Sequence, residues 1–318
     1  MADLVRIWYV SSQRLCNFRC TYCVSIGDYA KSNKIDWRHP NDHADFQRVV
    51  SWIGTTPFPV GVRLATLGEP FASWDFLDQA AWLTKQPNVE FVELLTNGSL
   101  LKSRLPKLAE IADLTKLSLW VTHHPSEISV EKLVENARFA QEKYNCFVVL
   151  NALLFPDTVP EVNALREAAT AAGIRFNLDL GYDPGNETAG QYQPSRMVPI
   201  LQEERGMEKA VEYGAKRELL DVNLMAMDHV HAQPCSAGND YFYIGIDGDV
   251  YPCSRYYVLK YDRLGNIADP DFRLDWHAGT YRPCRAQFGC CNKEDFLNLQ
   301  VAAGARKKSV PSLGWTAQ

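Results

Sequence analysis

Over its first 180 residues the chain alternates short β-favouring runs with amphipathic segments of helical length, a pattern that leaves few folds open. Runs at 4–10, 61–66, 90–96, 116–122, 146–153 and 174–180 read as strands. Segments at 43–54, 75–85, 103–113, 129–143 and 159–172 read as helices, with Pro106, Ser129 and Pro160 near starts or boundaries. Such alternation builds a parallel barrel or open barrel, with its active site at the C-terminal ends of the strands.

With 318 residues and 46% apolar content, the chain can bury an extended core. The net charge of −5 argues against a nucleic-acid surface, and Arg306-Lys307-Lys308 reads as a solvated basic face. No charged N-terminal region precedes a long apolar run, and the stretch from Phe147 to Phe155 is too short to span a bilayer. A cytoplasmic protein with neither nucleic acid nor membrane as a partner is expected, in a compartment that keeps thiols reduced.

Eight of the nine cysteines fall into two groups at opposite ends of the chain. The first, Cys16-Asn-Phe-Arg-Cys20-Thr-Tyr-Cys23, follows the first strand. Three thiolates on one short loop can hold three irons of a four-iron cube and leave the fourth open to a small molecule. A zinc site gathers four ligands from paired knuckles, and a disulfide framework belongs to small secreted chains. Here the nearest His after Cys23 is His39 and the next Cys is Cys146. Cys146 reads as a buried packing thiol.

The Cys-x3-Cys-x-aromatic-Cys pattern, with Tyr22 in the aromatic place, resembles the radical S-adenosylmethionine (SAM) superfamily. The resemblance implies a [4Fe–4S] cluster on Cys16, Cys20 and Cys23, with SAM chelating the open iron. One-electron reduction, supplied from outside by a carrier such as flavodoxin or ferredoxin, would cleave SAM to methionine and a 5′-deoxyadenosyl radical. It also implies a six-stranded partial (β/α)6 TIM-like barrel, here spanning 1–180. Gly68-Glu69-Pro70, at the end of the second strand, resembles the family's Gly-Gly-Glu-Pro motif for the SAM amino group, with Leu67 in place of the first glycine. Glycine there lets the backbone approach a ligand, and proline fixes the turn.

Side-chain parity along strands separates inner from helix-facing positions. Arg175, Asn177 and Asp179 share one face of the sixth strand, and Asn151 opposes Val148, Leu150 and Ala152 on the fifth. These polar positions are expected to face the cavity. Tyr22, Gly68, Glu69, Pro70, Asn97, Ser118, Asn151 and Asn177 are the candidate SAM-binding residues. Arg175, Asp179 and His123 are the candidate catalytic residues, with His124 as an alternative to His123.

Turn-forming residues from Gly181 mark a linker or lid, followed by a helical stretch at 198–217, so that 181–233 connects the barrel to a smaller domain at 234–318. That domain holds Cys235, Cys253, Cys284 and the pair Cys290-Cys291. Asp247-Gly248, between β-favouring runs, reads as a hairpin turn. A zinc ribbon is one reading. The hairpin and cysteine order also resemble SPASM, or its shortened form twitch, which implies an auxiliary [4Fe–4S] cluster on Cys235, Cys253, Cys284 and Cys290 or Cys291, Cys290 being preferred. The chain is thus expected to be a radical SAM enzyme with two [4Fe–4S] clusters, oxidising a small polar sugar, aminocyclitol or nucleoside-like molecule with the auxiliary cluster as electron acceptor. Alternatives are a peptide- or protein-modifying maturase and a redox-neutral, decarboxylating or sulfur-inserting natural-product enzyme.

Overall fold

The computed structural model describes residues 4–23, 42–181, 198–287, 297–306 and 310–314. Six strands, β1 (Val5–Ser11), β2 (Val60–Thr66), β3 (Val89–Thr96), β4 (Leu117–Thr122), β5 (Phe147–Leu154) and β6 (Arg175–Leu180), pair in parallel in chain order. Helices α1 (Asp42–Gly54), α2 (Trp74–Thr84), α3 (Leu101–Leu108), α4 (Val130–Tyr144) and α5 (Val159–Ala171) connect them. Alternate residues such as Val60, Val62 and Leu64 or Val148, Leu150 and Ala152 are buried in the main core between sheet and helices. Cys146, 3% exposed, packs in the same core.

Ser129 caps α4 by accepting from the Lys132 N–H, and Pro160 lies in the first turn of α5, where its missing donor has no intrahelical partner to lose. Pro106 differs from expectation, since it lies inside α3. That helix stops at Leu108 because the chain tightens there, with Glu110 and Ile111 N–H groups reaching back to Lys107 and Leu108 carbonyls. The single helix expected at 198–217 is broken as well. It becomes a 3₁₀ turn at Pro199–Gln202 and helices at Gly206–Glu212 and Arg217–Asp228. Gly206 lies so close to the Ile200 carbonyl that a Cβ would not fit, and Gly214 takes a φ of +114°, which ends the turn.

The C-terminal hairpin forms as expected, with β8 (Tyr241–Ile244) antiparallel to β9 (Asp249–Tyr251) and Gly248 in the turn at φ +80°. It does not make a sheet of its own. β8 adds in parallel to the free edge of β1, β10 (Gly265–Asn266) extends β9, and the result is one nine-stranded sheet. An uncovered β1 edge would leave unpaired N–H and C=O groups, so the hairpin completes the barrel wall. A buried Arg6–Asp240 ion pair at 2.8 Å fixes the junction.

The strand registers arrange the inner face in rows. Trp8, Arg63, Glu93, Ser118 and Phe147 form the lowest that spans all of β1 to β5. Leu95, Trp120, Val149 and Arg175 lie one row up, then Thr122, Asn151 and Asn177, and finally Leu153 and Asp179 at the mouth. Among the described residues, no helix is long and apolar enough to cross a membrane.

Candidate active site

The cysteine loop leaves β1 at the barrel mouth and is laced to the end of β2. The Leu67 N–H donates to the Gln13 carbonyl at 2.9 Å, and the Glu69 N–H to the Leu15 carbonyl at 2.8 Å. Thr66 Oγ1 donates to Gln13, whose Nε2 in turn donates to the Leu15 carbonyl at 3.2 Å. Gly68 fits between, since a Cβ there would lie 2.8 Å from Arg14 Cα and closer still to the Leu15 carbonyl oxygen. The close approach that requires this glycine is therefore to the cysteine loop, where the sequence pattern suggested a ligand. Gly68→Ala is expected to displace the loop at a cost of about 1–3 kcal/mol. The measurement is iron retention under a chelator, which the variant should lose faster than the parent; equal retention would show that the loop tolerates the extra atom.

Glu69 is 2% exposed. Its carboxylate accepts from the Phe71 N–H at 3.0 Å, the Thr96 hydroxyl at 2.6 Å and the Asn97 N–H at 2.7 Å. Burial pushes its pKa up to about 7 against these three hydrogen bonds. Pro70 opens a 3₁₀ turn capped by Glu69, so the motif ties the ends of β2 and β3 together. Asn97 extends the tie, with Nδ2 donating to Asn17 Oδ1 at 3.1 Å while Asn17 donates to Ser99 Oγ at 2.9 Å. Asn17, beside Cys16, thereby anchors the loop to β3.

At the far end of the loop the Arg19 N–H donates to Glu127 at 3.2 Å. Tyr22 stacks on His124, and its hydroxyl shares a 3.0 Å hydrogen bond with His124 Nδ1. Phe18 meets His124 edge-on, and Phe155, just past β5, packs against Tyr22. Burial, followed by the charge of His123, lowers the His124 pKa to about 4, so this imidazole is neutral at physiological pH. His123 is the less suitable of the pair. It is 3% exposed, its Nε2 donates to the Ile128 carbonyl at 3.0 Å, and it serves as a loop brace.

The donor set suits an iron–sulfur cluster. Burial raises the Cys16 thiol, and it raises Cys20 to about 12, with the charge of Cys23 next in importance for Cys20. Cys23 lies near enough to oppose the ionisation of both. A cationic cluster relieves both penalties, since metal binding stabilises thiolates. Among the described residues, no three His, Cys, Asp or Glu groups converge as ligands of a single ion do. A cube differs in taking its thiolates at separate corners.

Parity correctly separated inner from outer positions, but depth regrouped them. Asn177 Nδ2 donates to Asn151 Oδ1 at 2.5 Å, and Asn151 to Thr122 Oγ1 at 3.4 Å, giving a polar ladder below the mouth. Asp179 lies above it, in the mouth row. Arg175 does not join this group. It starts β6 in the row beneath the ladder, is exposed, and lies over the Phe147 ring at 4.3 Å. Ser118 sits in the lowest row, 3.4 Å from Glu93 Oε2, away from the cysteine loop. Sequence reasoning missed Gln13, Thr66 and Thr96 in the loop lacing, as well as the buried Arg63–Glu93 pair. Opposite charges at inward positions on neighbouring strands were the available signal for that pair.

The auxiliary cysteines gather around one apolar cluster that includes Tyr256. Cys235 lies on β7 (Pro234–Cys235), paired with β11 (Arg282–Pro283), which delivers Cys284 two residues beyond Arg282. Cys253 precedes the helix Ser254–Leu259. The Tyr256 hydroxyl is 4.0 Å from Cys284 Sγ and accepts from the Arg285 N–H at 2.7 Å. Burial raises its pKa, and both Cys253 and Cys284 are close enough to add to the effect. Three thiols bordering one apolar cluster suit an iron–sulfur cluster in donor type; Cys290 and Cys291 lie outside the described residues.

The parallel barrel, the cysteine loop at its mouth and the second cysteine centre together have the fold of radical SAM proteins with a SPASM-type extension. Residues 235–298 match the SPASM family, an iron–sulfur cluster-binding domain. No curated protein matches the sequence. Among solved structures, the chain is similar to anSMEcpe with bound AdoMet at 19% identity and a TM-score of 0.54, over 83% of this chain and 75% of that one. It is similar to Streptococcus suis SuiB bound to S-adenosylmethionine at 13% identity and a TM-score of 0.51, over 85% and 65%. For SuiB bound to precursor peptide SuiA the values are 13% and 0.52, over 86% and 64%.

Proposed function

We propose that the protein is a radical SAM oxidoreductase acting on a compact polar group, carried by a sugar, aminocyclitol or nucleoside-like metabolite. The observation that supports this most directly is the three-thiol loop laced across the mouth of a parallel barrel, above the Thr122–Asn151–Asn177 ladder. When bound, a [4Fe–4S] cluster on Cys16, Cys20 and Cys23, together with SAM and an external one-electron donor of the flavodoxin or ferredoxin type, supplies a 5′-deoxyadenosyl radical that removes hydrogen.

The chain's own residues set the stage for that chemistry. Gln13, Thr66 and Glu69 hold the loop, while Phe18, Tyr22 and Phe155 pack with His124 into an aromatic group beside it that would limit water. The ladder offers amide and hydroxyl groups to orient polar atoms of SAM or substrate. Asp179, at the mouth, is the group proposed to accept a substrate proton. Cys235, Cys253 and Cys284 with Cys290 or Cys291 would hold the auxiliary cluster that receives the remaining electron. A side chain on a peptide is the second reading, favoured by the likeness to SuiB, which was solved with precursor peptide SuiA.

The test is anaerobic incubation of reduced, cluster-loaded protein with SAM. Release of 5′-deoxyadenosine and methionine is expected, and its absence ends the proposal. With a turned-over substrate in hand, Asp179→Asn is expected to lower product formation about 100-fold while deoxyadenosine release persists. Unchanged turnover would remove Asp179 from proton transfer. Deoxyadenosine without net substrate oxidation would move the assignment to the redox-neutral, decarboxylating or sulfur-inserting class.

A further inference from the structure

Residues 310–314 pack against the lower part of the barrel's inner face. Val310 packs with Trp120 and Val149, the second row of the inner face, beside Leu95 and Phe147. Ser312 donates a hydrogen bond to Glu93 in the lowest row, where Glu93 is fully buried against Arg63. Leu313, 1% exposed, joins the cluster of Phe91 and Tyr241. The segment therefore descends across the inner face, with Val310 as its highest described residue, directly below the Thr122–Asn151–Asn177 row.

From this placement we infer that Val310–Leu313 is the floor of the substrate cavity and a specificity-determining element for the reaction proposed above, on which this assignment of the cavity rests. From the Val149 row, where Val310 packs, to the Leu153–Asp179 row at the mouth is four residues along β5. At ~3.3 Å per residue that is about 13 Å. SAM and the reacting group must share it. The floor is apolar and the wall above it polar, so the segment excludes long apolar groups from the lower barrel and admits a compact polar one. Its anchor is chemically specific, because a hydroxyl on a buried ion pair forms a charge-assisted hydrogen bond that solvent cannot replace.

The experiment uses cluster-loaded full-length protein and three variants: a chain ending at Ser309, Val310→Ala and Ser312→Ala. In the intact protein the Ser312 and Leu313 amides should exchange hydrogen at least tenfold more slowly than in an unstructured chain, and Ser312→Ala should speed them about tenfold. Indole serves as the probe of the vacated space, because an apolar cavity lined by large side chains binds small apolar molecules. The shortened chain should bind indole at least tenfold more tightly than the intact protein and protect β4 and β5 amides on binding, with Val310→Ala in between. Free exchange of the tail amides in the intact protein would overturn the inference. So would a shortened chain, or a Val310→Ala variant where shortening prevents folding, that gains no indole binding. Neither readout needs SAM turnover, so a failure here is distinguishable from a failure of the radical chemistry.

Discussion

Replacing Cys16, Cys20 and Cys23 together with Ala is expected to abolish SAM cleavage and to lower the iron content of reconstituted protein from about eight per chain to about four. The expectation rests on where the loop sits. Its backbone is held by Leu67, Glu69 and Thr66 of the β2 end and by Asn97 through Asn17, anchors that do not depend on the thiols. Of the three sulfurs only Cys20 is nearly inaccessible, at 7% exposure, so the barrel should survive the substitutions. Iron and deoxyadenosine are measured on the same sample. Iron near four in the parent protein, or stoichiometric zinc, would refute the two-cluster assignment, and SAM cleavage without the three thiols would refute the role of the loop.

The auxiliary site has the opposite signature. Cys235→Ala and Cys284→Ala should each remove roughly half of the iron and stop product formation while deoxyadenosine release continues in part. Both side chains are half-buried, whereas Cys253 is 8% exposed and precedes the helix Ser254–Leu259, so its replacement confounds cluster loss with misfolding. The contact of the Tyr256 hydroxyl with Cys284 Sγ suits a redox role, since hydrogen bonds to sulfur are among the factors that set a cluster's potential. Full turnover by a folded variant lacking the second cluster would reduce that site to a structural support.

The difference between the two histidines illustrates how far sequence reasoning reached. Adjacent in the chain, His123 and His124 offered no local signal to separate them. The β4 end buries His123, where its ring braces the Ile128 carbonyl, and leaves His124 under the cysteine loop against Tyr22. Glu69 presents a related case. Its neighbours in sequence suggested a ligand contact, yet its oxygens are occupied by donors from Phe71, Thr96 and Asn97. A carboxylate partner lying 27 or 28 positions away along the chain leaves no pattern that periodicity can reveal.

What the sequence determined by itself is whatever depends on short-range repetition and chemistry. Strand and helix order follow from apolar periodicity, inner and outer faces from the two-residue repeat of a strand, and the grouping of three thiols on a single loop from cysteine spacing. Tertiary structure alone decided depth. Arg175, Asn177 and Asp179 share a face, but they lie beneath the ladder, in it and at the mouth of the barrel, because depth depends on the stagger between neighbouring strands. It also placed β8 beside β1 and drew Ser312 to Glu93, 219 residues away. Such contacts satisfy an open sheet edge and a buried ion pair, requirements that arise only once the barrel has been built.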